Sequence, residues 1–260
     1  MLRILLSCLL LTILSLPCFC RENRNPGNPL LRIDGNVTKS CQILSYNALH
    51  IVWSPRLRLP LAVAYELTDT HVAMCDAPDA EKRKHYNFAT DTSVKNCPEP
   101  YEISFSKCGY SRGHMAPAMD MKWSKATMTQ CFLMTNICPQ DKELNNGQWQ
   151  SIERNVHQWA KRHRNLIVIT GPVFKTTQWL PPRRNIGLPT HFYKIVYAPG
   201  KQRAIAFLYP NTPPQGTIKS HVTTIEHIEK LTGLQFLNSL DRKTRRQIKQ
   251  YSNYNLWDQK

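Results

Sequence analysis

Acidic residues are scarce in this chain. Its 260 residues hold 18 Asp and Glu against 34 Lys and Arg, a formal net charge of +16. Such an excess draws polyanions and speeds their encounter in a salt-dependent way, although solubility or wall adhesion would use the same charge. Also missing is any Cys-x-x-Cys pair, which argues against a zinc site. Membrane-spanning runs are absent too: the apolar stretch Ile4 to Pro17 is too short to span, and nothing later is long enough. From Cys41 onward there is no long linker, low-complexity tract or repeat. One domain over 41–260 is the economical reading, with enough chain for a well-packed core.

What is present begins with a leader. Arg3, the apolar run and small Cys18 and Cys20 before Arg21 predict a signal peptide over 1–20, cleaved after Cys20, and a secreted or periplasmic protein. Cleavage removes one charge, that of Arg3, leaving +15. Residues 21–40 are rich in Pro, Gly, Asn and Arg and read as a flexible leader. Six cysteines then remain, Cys41, Cys75, Cys97, Cys108, Cys131 and Cys138; an even count in an exported chain favours disulfides of undetermined pairing. Asn36-Val37-Thr38 is a glycosylation sequon if the host glycosylates.

Periodicity predicts strands over Ala48–Trp53, Leu61–Leu67, Cys131–Thr135 and Leu166–Thr170. Thr190–Tyr197 and Arg203–Tyr209 alternate like strands, paired through Pro199-Gly200. The polar stretch from Ala77 to Pro98 reads as a long loop fixed by Cys75 and Cys97. Leu144–Arg162 is the best helix, because Trp149, Ile152, Val156, Trp159 and Ala160 make one apolar stripe. Thr223–Leu231 and Asp241–Tyr251 also read as helices. Strands and helices mix without regular alternation, which predicts an α+β fold.

The chemistry centres on two blocks. In Ser111-Arg112-Gly113-His114, Gly113 permits a sharp backbone path, and a neutral His114 could take a proton as a general base. Arg112 could hold a phosphate, or a carboxylate that supports the site from behind. Taken alone, His114 would more often be structural. The second block places Asn145 at or near the start of the long helix, with Glu153 eight residues on and on roughly the same flank. An Asn amide and a carboxylate that holds a bound water suit magnesium, which keeps most of its waters. Spacing alone favours the plainer reading, in which Asn145 caps the helix and Glu153 is surface charge.

The stretch Ser111-Arg112-Gly113-His114-Met115-Ala116-Pro117-Ala118 resembles the Asp-Arg-Gly-His signature of the DNA/RNA non-specific endonucleases. These are ββα-metal (His-Me finger) nucleases whose relatives include mitochondrial endonuclease G. The resemblance runs on through Lys122-Trp123-Ser124, Asn136-Ile137-Cys138-Pro139-Gln140, Leu144-Asn145, Trp149 and Ile152-Glu153. It resumes at Ile169-Thr170-Gly171-Pro172 and Ile228-Glu229-Lys230-Leu231-Thr232-Gly233. It implies a central, mostly antiparallel sheet flanked by helices, and an exported member of bacterial type. It further implies cleavage of DNA and RNA to 5′-phosphate ends with Mg2+, for which Mn2+ or another divalent cation could substitute. In that frame His114 is the base, Asn145 holds the metal, Glu153 orients a water and Arg112 is an active-site arginine. Asn136 supports the site from behind, and homodimers occur among relatives.

Ser111 stands where the signature usually has Asp, which implies a retuned site. Arg83, in Lys82-Arg83-Lys84, is a candidate phosphate-binding arginine or one charge of a solvated run. His157 stands where relatives often place a phosphate-binding arginine; packing or solvent exposure is the equal alternative. The competing function is a non-catalytic cationic nucleic-acid-binding protein on a nuclease scaffold. A cationic adhesion protein would leave the motif blocks unexplained.

Overall fold

Apolar runs that continue without polar interruption, such as Leu166-Ile167-Val168-Ile169, suit strands covered on both faces, and the core of this molecule is built from such strands. The computed structural model describes residues 27–181 and 185–258; the expected signal segment lies outside them. The strands are β1 (Ile33–Asp34), β2 (Gln42–Ser45), β3 (His50–Ser54), β4 (Leu59–Thr68), β5 (Ser111–His114), β6 (Ile137–Gln140), β7 (Asn165–Val173), β8 (His191–Ala198), β9 (Arg203–Pro210), β10 (Val222–Thr223) and β11 (Gln235–Phe236). Seven of them form one antiparallel sheet in the order β10-β9-β8-β7-β4-β3-β2. β5 pairs with β6, and β1 with β11.

The helices are α1 (Asp69–Asp76), α2 (Phe105–Cys108), α3 (Lys125–Cys131), α4 (Lys142–Leu144), α5 (Gln150–His163), α6 (Ile225–Thr232) and α7 (Arg242–Gln250). Alternate side chains of the sheet feed two separate cores. Trp53, Val63, Tyr65, Val168 and Phe207 pack on one face with Trp149, Ile152, Val156 and Trp159 of the long helix and its lead-in. Ala62, Ile167, Ile169, Tyr193 and Ile195 pack on the other with Ile225, Ile228 and Ile248 of α6 and α7. Each large apolar side chain buried this way contributes about 1.5–3 kcal/mol. The α+β architecture with an antiparallel sheet flanked by helices is thus the one expected.

Three readings need correction. Cys131–Thr135 is not a strand: Ser124 Oγ accepts from the Thr127 N–H and opens α3, which runs to Cys131 and gives way to a tight turn at Met134–Asn136. Residues 27–40, read as flexible, hold the paired β1, anchored by buried Ile33. The expected disulfides are not formed, and all six described cysteines are free thiols. Cys41 packs beneath one face of the sheet, while Cys97, Cys108, Cys131 and Cys138 pack beneath the other, which keeps it from them.

Candidate active site

β5, β6 and the helix that follows make a ββα unit against one face of the sheet. The ribbon pairs Ser111 with Gln140 and His114 with Ile137. Gly113 is extended rather than turned, so its role differs from the sharp path expected. A Cβ there would lie 2.2 Å from Gln140 Oε1, and glycine is required by that close approach. The fully buried Gln140 amide finds no hydrogen-bond partner among the described residues.

Asp141, not Asn145, caps the helix: its carboxylate accepts from the Glu143 and Leu144 N–H groups. Asn211 pins this junction, accepting from the Asp141 N–H at 2.8 Å and donating to the Pro139 carbonyl. Asn145 therefore lies inside the helix, at the first residue of a π turn (Asn145–Trp149) that joins α4 to α5. Gly147, at φ −105° and ψ −110°, breaks the helical path. An unbroken α-helix would set Asn145 and Glu153 about 80° apart, from eight steps of about 100°. The extra residue held in a π turn takes up part of that offset.

Asn145 Nδ2 donates to Ser111 Oγ at 3.2 Å, and Ser111 Oγ donates to the Gln140 carbonyl at 2.9 Å. Ser111, in the position usually held by Asp, thus orients the Asn145 amide and leaves its oxygen as the atom a cation would take. Glu153 is half-buried, and burial together with the nearby Asp120 carboxylate pushes its acid strength down, with Lys194 opposing. Lys194 itself is fully buried, bonded to Thr170 Oγ1 at 2.9 Å and lying 4.7 Å from the Trp149 ring centroid. One neutral amide oxygen and, eight residues on along the same helical run, one partly buried carboxylate suit a water-rich divalent cation, whose charge would keep Glu153 ionised.

His114 sits in an aromatic niche, with the Phe88 ring at 5.2 Å and the Phe132 ring edge-on at 5.0 Å. Arg112 lies over Phe88 at 4.4 Å and Arg83 over Phe132 at 5.2 Å, so both guanidinium groups border the imidazole. Burial, Arg83 and Arg112 together hold the His114 pKa down to about 3, so the ring is neutral at physiological pH. Its Nε2 is sealed from solvent and unpaired among the described residues. Arg83 is thereby brought to the site. Asn136, fully buried, accepts from the Ala116 N–H and donates to the Ala116 and Cys131 carbonyls, all at 2.9 Å. It fixes the backbone just past His114.

His157 is not brought to the site's surface. It is 3% exposed, with Nδ1 2.7 Å from Asp120 and Nε2 3.1 Å from Asp76. Burial alone would depress its pKa, but the two carboxylates outweigh burial and raise it. A buried, doubly paired imidazole has no nitrogen to offer a phosphate, so the substrate-binding role is withdrawn. Sequence reasoning missed Phe88, Phe132, Asp120, Gln140, Lys194 and Asn211. Only Lys194 left a signal, a lone charge in the apolar run of β8.

Residues 27–243 match the family model described as DNA/RNA non-specific endonuclease. Mitochondrial nuclease EXOG of Xenopus laevis is 28% identical over 209 residues, covering 74% of this chain and 57% of its own length. Human mitochondrial endonuclease G is 26% identical over 214 residues, covering 76% of this chain and 70% of its own. This chain thus spans little more than half of the EXOG relative. In a solved complex of EndoG with EndoGI, one chain shares the fold at a TM-score of 0.70 and 24% identity, covering 78% of this chain and 88% of that one. The family match takes in most of the chain and every candidate site residue, and the chain belongs to the DNA/RNA non-specific endonuclease family.

Proposed function

We propose that this protein is a divalent-metal-dependent endonuclease that hydrolyses phosphodiester bonds of DNA and RNA. The observation that carries this reading is a neutral His114 bordered by Arg83 and Arg112, on the short strand whose Ser111 orients Asn145. With Nε2 sealed, Nδ1 is the nitrogen that takes a proton from the attacking water. Arg83 and Arg112 engage phosphate oxygens, which carry no sequence information and so suit a non-specific enzyme. Phosphate arriving between them also offsets the charges that weaken His114 as a base. Water oxygen bonds to phosphorus, the P–O3′ bond breaks, and a 5′-phosphate and a 3′-hydroxyl result, the hydroxyl proton coming from solvent. Asn145 and Glu153 would hold Mg2+ or a similar cation, which supplies charge stabilisation at the phosphate and the leaving oxygen.

Circular single-stranded DNA tests this, since a circle has no end for an exonuclease. The chain is expected to cut the circle with Mg2+, to stop with a chelator, and to lose about 100- to 10,000-fold in rate as His114→Ala. Full activity in His114→Ala would sink the assignment of the base. Tight binding without cutting across several divalent cations would favour the non-catalytic reading. The same proposal includes export, checked by N-terminal sequencing of secreted protein, which should begin at Arg21.

A further inference from the structure

The chain carries a second cationic surface that the catalytic reading does not use. The sequence Arg242-Lys243-Thr244-Arg245-Arg246-Gln247-Ile248-Lys249-Gln250 has five cations and no acid. Buried Thr244 and Ile248 fix one side of α7 against the sheet. Arg245 and Lys249 are held on one flank, by the Asn238 carbonyl and by Glu229 at 2.7 Å. Arg242, Lys243 and Arg246 point outward and are exposed, as are Gln247 and Gln250. The family match runs to residue 243, in the first turn of this helix.

Gln247 also lines a groove between α7 and the β8–β9 turn, with Lys201, Gln202, Arg203, Tyr251 and Asn253. Tyr251 is 56% exposed, one of few large aromatic side chains left so open, and Asn253 Nδ2 steadies its hydroxyl at 3.0 Å. The potential here is positive enough that Arg203, Lys201 and Arg162 add to burial in holding neighbouring His163 below its ordinary pKa. The groove lies at the C-terminal end of α5, where Trp257 meets His163 and Arg203 meets Leu256. Asn145 precedes the N-terminal end of the same helix, whose residues Gln150–His163 alone span about 20 Å.

We propose that α7 and this groove form a second nucleic-acid site, taking single-stranded DNA or RNA with a base stacked on Tyr251 and phosphates on Lys201, Arg242, Lys243 and Arg246. An exposed ring set among cations suits a single strand, whose unpaired bases present π faces. A duplex hides those faces, and heparin or a lipid headgroup has none. This site shares with the proposed function its substrate class, not its chemistry.

The test uses the full chain with His114→Ala, so that bound strands persist, and a fluorescent oligothymidylate whose anisotropy is followed over a salt series. The combined Arg242→Ala, Lys243→Ala and Arg246→Ala variant should weaken binding about tenfold or more and flatten the slope of log affinity against log salt by about 2. Tyr251→Ala should weaken oligothymidylate binding about tenfold while leaving heparin binding unchanged, and Tyr251→Trp should restore it. Unchanged affinity and slope in the triple variant would overturn the site. So would a Tyr251→Ala variant that binds oligothymidylate normally, or one that loses heparin to the same extent. Trinucleotide cleavage by the chain with His114 intact separates the two readings, because a trinucleotide is too short to reach from one end of α5 to the other. Failure of the unsubstituted chain to cut it counts against the nuclease alone, and slowed cutting by the triple variant counts against a separate site.

Discussion

At the scale of single residues, the candidate site is governed by who stands beside His114. Burial disfavours the imidazolium, and Arg83 and Arg112 add to it, giving a pKa of about 3. Removing a positive neighbour makes protonation easier, so Arg83→Ala should raise that pKa toward the ordinary value. An imidazole titration by NMR checks the direction, and a fall or no change would refute the assignment of Arg83 to the niche. Gly113 makes a second case. An alanine Cβ would meet buried Gln140 backed by β6, and relief requires moving one or the other. Gly113→Ala should cost about 1–3 kcal/mol in urea unfolding, and adding Gln140→Ala should return part of it. These residues differ in legibility. Ser111, Arg112, His114, Asn136, Asn145 and Glu153 sit in contiguous motif blocks and could be read. Phe88 and Phe132 could not, since an aromatic in a polar loop or at a helix end carries no mark of the imidazole it will touch.

At the scale of elements, the long helix is held by charge as well as by its apolar stripe. His157 lies between Asp120 and Asp76, and Lys161 adds a 2.7 Å pair to Asp76. Asp120 is fully buried and also accepts from the Tyr65 hydroxyl at 2.8 Å. His157→Phe would leave that carboxylate without its cation, at a cost of about 3–5 kcal/mol in denaturant unfolding. The sign with pH follows from a folded pKa raised above the unfolded one. The contribution of His157 is full below the unfolded value of about 6.5 and is lost as pH rises through the folded value. The gap between wild type and His157→Phe should therefore narrow on going from pH 6 to alkaline conditions. Helix and strand existence was legible here, because apolar periodicity decides it: β3, β4, β7, β8, β9, α5, α6 and α7 fall where expected. The π turn was not, because Asn145–Trp149 reads like any helical start. Nor was α1, whose start rests on Thr68 Oγ1 capping the His71 N–H at the end of a strand.

At the scale of the whole molecule, the C-terminal segment ties together the two cores that the sheet separates. Ile248 packs in one core and Trp257 in the other, with only eight residues between them. Trp257 meets the Trp159 and His163 rings at 5.0 Å each, and the Leu256 carbonyl accepts from Arg203 at 2.8 Å. The strap thus closes over the end of the sheet, at the foot of α5 and the β8–β9 turn. The His114 niche draws on other elements, β5, α3 and the loop that carries Arg83 and Phe88. Trp257→Ala should therefore lower stability by about 3–5 kcal/mol yet leave the catalytic geometry in place. Urea unfolding would show the loss, and the cleavage rate at low temperature, where the variant stays folded, should remain near wild type. A rate that falls in step with stability even there would mean that the strap shapes the catalytic niche, not the core alone.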